Sequence, residues 1–264
     1  MSYPKVSVIV STCNRRDFLA EALGSLVDQL PVTETEILVI NAWRYPVDRS
    51  VIPEGLKQNC RVIETREHVG QSKTINIGLK EAAGDFVIIA EDDDTTLPGA
   101  HRALREALYQ SPNSAVIYSL PVYTDENGKL LERSPKLREF LLKHPILTWE
   151  DVKRDGLYCH GTATCYRKEA LTAIGGWDES LHTAEEWDVH MRLLHAGYIF
   201  TALDFESVTY RRHPGGKSQI PRRLRKQMRA GVMEKIYAKL GLRPPPPPAK
   251  EEGVSTKDTP SPTT

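Results

Sequence analysis

The sequence predicts an α/β fold built on a mostly parallel central sheet flanked by helices, and three observations carry that reading. Short runs rich in β-branched residues recur at 6–10, 37–40 and 86–90, as strands buried on both faces require. Segments with helical spacing separate them, which is the alternation of crossover units. An acidic run, Glu91-Asp92-Asp93-Asp94, directly follows the third apolar run, and α/β sheets place their ligands beyond the carboxyl ends of strands.

The elements follow in order. Residues 6–10 read as the first strand, and Asn14 or Asp17 starts a helix that continues through Leu19, Leu23, Leu26 and Val27. Residues 37–40 give a second strand and 61–64 a third. The spacing over 74–83 is helical until Gly84-Asp85 ends it, and the strand at 86–90 leads through the acidic run into a helix over about 98–109. Residues 115–122 form another strand, with Asn127-Gly128 turning the chain into Lys129-Leu130-Leu131. Between Ser134 and Tyr158, where Pro135, Pro145 and Gly156 interrupt the pattern, an irregular specificity wall is expected. Residues 167–174 read as a helix broken by Gly175-Gly176, and 187–194 as another closed by Gly197.

Leu224, Met228, Val232, Ile236 and Leu240 recur every four residues, which predicts an amphipathic helix with a densely basic opposite face. Such a helix either docks on the core with its charges in water or lies on an anionic membrane or polymer through 222–240. The expected organisation is a catalytic unit over 1–218, a nucleotide-binding half to about 98 and an acceptor-side half beyond it. The basic helix at 219–243 and an extended Pro-rich tail at 244–264 follow.

A chain of 264 residues with 40% hydrophobic content can bury a substantial core. Its 35 basic and 35 acidic side chains cancel, so net charge points to neither nucleic acid nor an acidic substrate. Cys13, Cys60, Cys159 and Cys165 are scattered with no CxxC pair, which argues against a zinc ribbon or a disulfide framework. With no secretory signal or long apolar run, a cytoplasmic protein is expected, with peripheral contact at the inner membrane face left open.

Four carboxylates at a strand end repel one another unless a cation joins them, so the acidic run reads as a metal and phosphate site, against a solvated acidic loop. The sequence carries no Gly-x-Gly-x-x-Gly after the first strand and no Walker loop, which removes ordinary dinucleotide and P-loop assignments. The first strand ends instead in Ser11-Thr12-Cys13-Asn14-Arg15-Arg16, whose hydroxyls and arginines can meet a nucleotide.

Several motifs in order are similar to those of family 2 inverting glycosyltransferases, which have the GT-A fold and use nucleotide-diphosphate sugars. They are VSVIVSTCNR at 6–15, EILVIN at 36–41, HVGQSKTINIGLKEAAGD at 68–85, EDDDTTLP at 91–98 and GGWDESLHTAEEWDVHMRLLHAG at 175–197. The resemblance implies that Thr12, Asn14 and Arg15 meet the nucleotide. Asn41 stands where the family has a base-binding Asp, and its carbonyl can still accept from uracil. Gly70 lets backbone approach the donor, and Lys73 stands in for an arginine that is Ile75 here. Aligned on Pro98, Asp93 is the leading ligand for Mn²⁺ or Mg²⁺, Glu91 replaces the usual first Asp, and Asp92 and Asp94 support them. Glu186 corresponds to the general base, with Glu185 and Asp188 as alternatives. His213 completes the metal site, and Arg211, Lys217 and Ser218 belong to a basic loop that meets diphosphate. Trp177 reads either as a sugar-stacking residue or as core.

The resemblance therefore implies a metal-dependent hexosyltransferase, with UDP-sugars favoured, acting on a hydroxyl of a glycan, glycoconjugate or other polymer. A nucleotidyltransferase acting on sugar phosphates and a non-catalytic carbohydrate-binding protein are the alternatives.

Overall fold

The computed structural model describes residues 4–13, 15–216 and 222–242, with the side chains of 222–230 excepted. The expectations for Asn14, Lys217, Ser218 and the Pro-rich segment lie outside these residues. Four parallel strands open the fold: β1 (Val6–Thr12), β2 (Thr35–Asn41), β3 (Cys60–Glu64) and β4 (Phe86–Glu91). They lie in the order β3-β2-β1-β4, with Thr12 paired to Asn41, Asn41 to Glu64 and Ser11 to Glu91. One row of strand ends therefore presents Thr12, Asn41, Glu64 and Glu91 together.

Beyond β4 the sheet continues with β9 (Thr164–Arg167), β6 (Ser114–Thr124), β10 (Ile199–Arg211) and the two-residue β5 (Thr95–Thr96). Strand β9 runs antiparallel to both β4 and β6, and β6 is parallel to β10. All the longer strands consequently share one direction, and the single reversed inner strand is short. Short β7 (Leu130–Arg133) pairs antiparallel with β6 after the Asn127-Gly128 turn, and β8 (Ile146–Leu147) pairs with β10.

The alternation along β1 sorts the core. Val6, Val8 and Val10 face a cluster with Leu19, Leu23 and Leu26 around α1 (Arg16–Ser25) and Leu104 and Leu108 of α3 (Ala100–Gln110). Ile9 faces the other layer, with Ile75 and Leu79 of α2 (Gln71–Glu81) and Val189, Leu193 and Leu194 of α7 (Glu185–His195). Each fully buried aliphatic side chain contributes about 1.5–3 kcal/mol, so both layers hold the strand ends firmly.

Three expectations change. The 134–158 segment is not irregular: α4 (Pro135–Lys143) starts with Pro in its first turn, and α5 (Trp149–Asp155) with a Thr148/Asp151 capping box. Strands β9 and β10 escaped the pattern reading, the latter because Thr201, Asp204, Glu206 and Thr209 dilute its apolar alternation. From Phe200 to Val208, β10 advances eight residues while its partner β6 advances five, from Val116 to Pro121. A short α6 (Lys168–Ala173) follows β9.

The final helix, α8 (Arg222–Lys239), docks on the core through Val232, Met233, Ile236, Tyr237 and Leu240, with Ile236 1% exposed. Lys239 pairs with Asp178. No helix among the described residues is long and apolar enough to cross a membrane.

Candidate active site

A cavity of about 530 Å³ opens at the carboxyl ends of the strands. Thr12 and Arg15 line it from β1, Gly70 and Gln71 from the start of α2, and Glu91, Asp93 and Asp94 from the acidic run. Glu185 and Arg211 close it from α7 and β10. Gly70 has φ +82°, a left-handed turn that suits glycine and delivers α2's first residue to the cavity wall.

The acidic run is internally differentiated. Asp92 is fully buried, accepting from the Thr12 hydroxyl at 2.6 Å and from Arg15 Nη2 at 2.5 Å. Burial raises its pKa, and Arg15 and Thr12 pull against that rise. Asp93 Oδ2 accepts from Arg15 Nη1 at 2.6 Å and lies 3.0 Å from His213 Nε2. Its Oδ1 is buried without a hydrogen-bond partner among the described residues. Asp94 accepts from the Arg211 main-chain N–H at 3.0 Å, and burial together with Asp93 holds its pKa well above the ordinary carboxylate range. Burial works against protonated Arg15, but Asp92 and Asp93 outweigh it and raise its pKa.

His213 is 5% exposed, its ring meeting Phe18 of α1 edge to face at 4.8 Å. Asp93 and His213 therefore fit a divalent ion: one orphaned carboxylate oxygen and one imidazole, with diphosphate and water oxygens to complete the shell. No group of three or more His, Cys, Asp or Glu among the described residues is placed to hold a metal, so an ion held by Asp93 and His213 would take most of its ligands from elsewhere. Glu91 takes another direction, accepting from Gln71 Nε2 at 2.5 Å.

Two carboxylates open α7, and one of them lines the cavity. Ala184 precedes them with φ 57°, ψ 29°, a left-handed conformation that is uncommon for alanine and aims the first turn. Glu185 is 3% exposed and lines the cavity; Glu186 accepts from Gln71 Nε2 at 3.3 Å and packs against Gly161.

Other expected site residues take structural work. Asp188 is fully buried and off the cavity wall, its Oδ2 held by Arg192 at 2.5 and 2.8 Å and its Oδ1 4.0 Å from Lys239 Nζ with no hydrogen-bond partner among the described residues. Arg211 lines the cavity while its guanidinium donates to Glu21, the Glu126 carbonyl and the Asp93 carbonyl, which buttresses the acidic run. Lys73 is exposed and lies off the cavity wall, because the helical period turns its neighbours Ser72 and Thr74 inward. Trp177 is 2% exposed and belongs to the core.

Asn41 is fully buried; its amide donates to the Tyr45 carbonyl at 2.7 Å and to Glu64 at 2.6 Å, which leaves Oδ1 as its only free acceptor. Sequence reasoning missed Gln71, Gly161, Phe18 and Glu64. Gln71 alone carried a signal, standing inside a recognised motif directly after Gly70.

Comparison with known proteins identifies the family and the fold. The model of glycosyl transferase family 2 matches residues 7–175, more than half of the chain. An uncharacterized glycosyltransferase of Bacillus subtilis, YwdF, is 25% identical over 191 residues, 71% of this chain and 67% of its own length. A Campylobacter jejuni GalNAc(5)-diNAcBac-PP-undecaprenol beta-1,3-glucosyltransferase is 33% identical over 106 residues, covering 39% of this chain and 34% of that protein. Among solved structures, residues 1–349 of Staphylococcus aureus TarS in complex with UDP-GlcNAc superpose with a TM-score of 0.66 at 21% identity, over 89% of this chain and 66% of that one. The Pyrobaculum calidifontis mannosyltransferase PcManGT with GDP-Man and Mn²⁺ gives 0.63 at 18% identity, over 94% and 67%. The chain thus spans about two thirds of the length of several of its relatives. It belongs to glycosyl transferase family 2 and is a glycosyltransferase of the GT-A fold.

Proposed function

We propose that the chain catalyses metal-assisted, inverting transfer of a sugar from a nucleotide diphosphate, UDP-sugars being favoured, to a hydroxyl of a glycan or lipid-linked glycan. One observation carries this reading: Glu91 and Asp93 of the acidic run and Glu185 of α7 line a single cavity, with Gln71 on its wall donating to both Glu91 and Glu186. Glu186 accepts the acceptor's hydroxyl proton, the oxygen bonds to the anomeric carbon, and the bond from that carbon to the diphosphate oxygen breaks. Asp93 and His213 would hold Mn²⁺ or Mg²⁺, which supplies positive charge to the departing diphosphate. Arg15 adds a second cation on the same side. Asn41 is fully buried and off the cavity wall, so the preference for uracil rests on UDP-GlcNAc in TarS, while GDP-Man in PcManGT makes guanine the competitor to test. The glucosyltransferase relative supports a lipid-linked acceptor.

A screen of UDP- and GDP-sugars with and without Mn²⁺, read as nucleoside diphosphate release, tests the reading. Asp93→Asn and Glu186→Gln are each expected to lower turnover by about 10²–10⁴-fold with the thermal midpoint nearly unchanged. Full activity in both variants would overturn it. Glu185→Gln run alongside decides between the two adjacent acids, since Glu185 borders the same cavity.

A further inference from the structure

We infer that Gln71 is the positioning residue of the base: its side-chain amide fixes the Glu186 carboxylate and ties it to Glu91 across the cavity. This rests on the assignment of Glu186 as base. One nitrogen, Nε2, donates to Glu91 Oε1 at 2.5 Å and to Glu186 Oε1 at 3.3 Å. The amide bears two hydrogens, so both can be engaged, and chemistry fixes its orientation because the amide oxygen in that place would face two carboxylates. Gly161 supplies the opposite wall. A Cβ added there would stand 2.3 Å from Glu186 Cγ and 3.3 Å from Cδ, so the glutamate arm lies directly against bare backbone.

Two features of the chain gain a reason from this arrangement. Gly70, left-handed at φ +82°, turns the chain so that the first residue of α2 reaches the gap between β4 and α7. Glu91, one methylene longer than aspartate, extends to Gln71 while Asp93 and His213 form the metal pair. A neutral donor suits this position because it holds a carboxylate in place and leaves it able to accept a proton, where an arginine would bind the anion more tightly. The donor-side acid and the acceptor-side base thereby share one tether.

The test uses the full chain and nucleoside diphosphate release from UDP-GlcNAc or GDP-mannose, whichever the donor screen shows to be turned over. Gln71→Met keeps length and bulk and removes the donor. The expected result is a kcat lower by about tenfold or more, with the donor KM and the affinity for the nucleoside diphosphate plus Mn²⁺ within about twofold. Gly161→Ala, acting from the other wall, is expected to give the same split. In a Glu186→Gln background Gln71→Met should lower the residual rate no further, because the two residues act as one unit. An unchanged kcat in Gln71→Met, a loss confined to donor KM, or additive losses in the double variant would each overturn the inference. A Glu186→Gln enzyme as active as the parent would instead remove the base assignment itself, and the two failures are therefore distinguishable.

Discussion

The acidic runs at 91–94 and at 185–188 look alike in sequence, yet the fold gives their carboxylates different fates through the partner each one meets and its place relative to the cavity. Asp92 is held by Arg15 and Thr12, and Asp188 by Arg192; both carboxylates are fully buried while their arginines are 36% and 16% exposed at the side chain. Asp93 keeps one buried oxygen unpaired, and Glu186 meets a neutral amide. Asp93 also meets the Arg15 guanidinium, and Asp188 also keeps a buried Oδ1 without a partner among the described residues, so what separates them is position: Asp93 lines the cavity and Asp188 does not.

The strongest way to break this contrast is Asp188→Ala. It strands Arg192, only 16% exposed at its side chain, and is expected to cost about 3–5 kcal/mol in denaturant unfolding, with kcat per folded molecule unchanged. A catalytic loss without that destabilisation would place Asp188 among the working acids. Arg15→Gln is the next test, expected to destabilise the metal-free protein by about 1–3 kcal/mol at neutral pH. Burial already raises the folded-state pKa of Asp92, and loss of Arg15 raises it further. A carboxyl raised in this way adds stability that is present below its unfolded pKa and lost as pH climbs through the folded value. The deficit of the variant relative to the parent should therefore grow as pH rises above the unfolded value of 3.8. A deficit that is flat with pH would show that Arg15 does not neutralise the run.

The smallest effect is expected outside both runs, at Asp178. Burial raises its pKa, but Lys239 and Ser180 outweigh this and bring it down to about 2. Its contribution is therefore present above the unfolded value near 3.8 and lost as pH falls toward 2. Lys239 is half exposed, so Asp178→Asn should cost at most about 1 kcal/mol at pH 7 and nothing near pH 2. Faster amide exchange confined to α8 would locate the effect in its docking.

The parallel strands and the acidic run were legible because burial on both faces demands unbroken β-branched runs and their ends are marked by polar residues. The α7 acids were legible from the motif, but the separation of Glu186 from Asp188 was not. It depends on Gln71 and Arg192, which reach them by distance and rotamer rather than by pattern. Lys73 shows the same limit: its position in the motif suggested a replacement cation, and the helical period turned it to solvent. The 134–158 segment hid two helices behind Pro135 and Pro145, although Pro135 in fact opens α4. Phe18 carries no signal as a support of His213, because the two rings stand 195 positions apart in the chain (213 − 18) and meet only once it has folded.

The uneven stride of β10 against β6 has a geometric result for the far end of that strand. Its surplus over its partner is three residues (8 − 5), an odd number, so the in-and-out alternation counted from Phe200 is out of phase by the time the chain reaches Tyr210 and Arg211. The facing of Arg211 is thus fixed by its register with Thr124 and not by the count from Phe200, and the irregular stretch between Ala202 and Val208 absorbs the difference. A deletion there that kept Val208 opposite Pro121 would leave Arg211 beside Asp93 and Asp94. The approach of His213 to the acidic run therefore depends on how the sheet closes this stretch, several residues upstream.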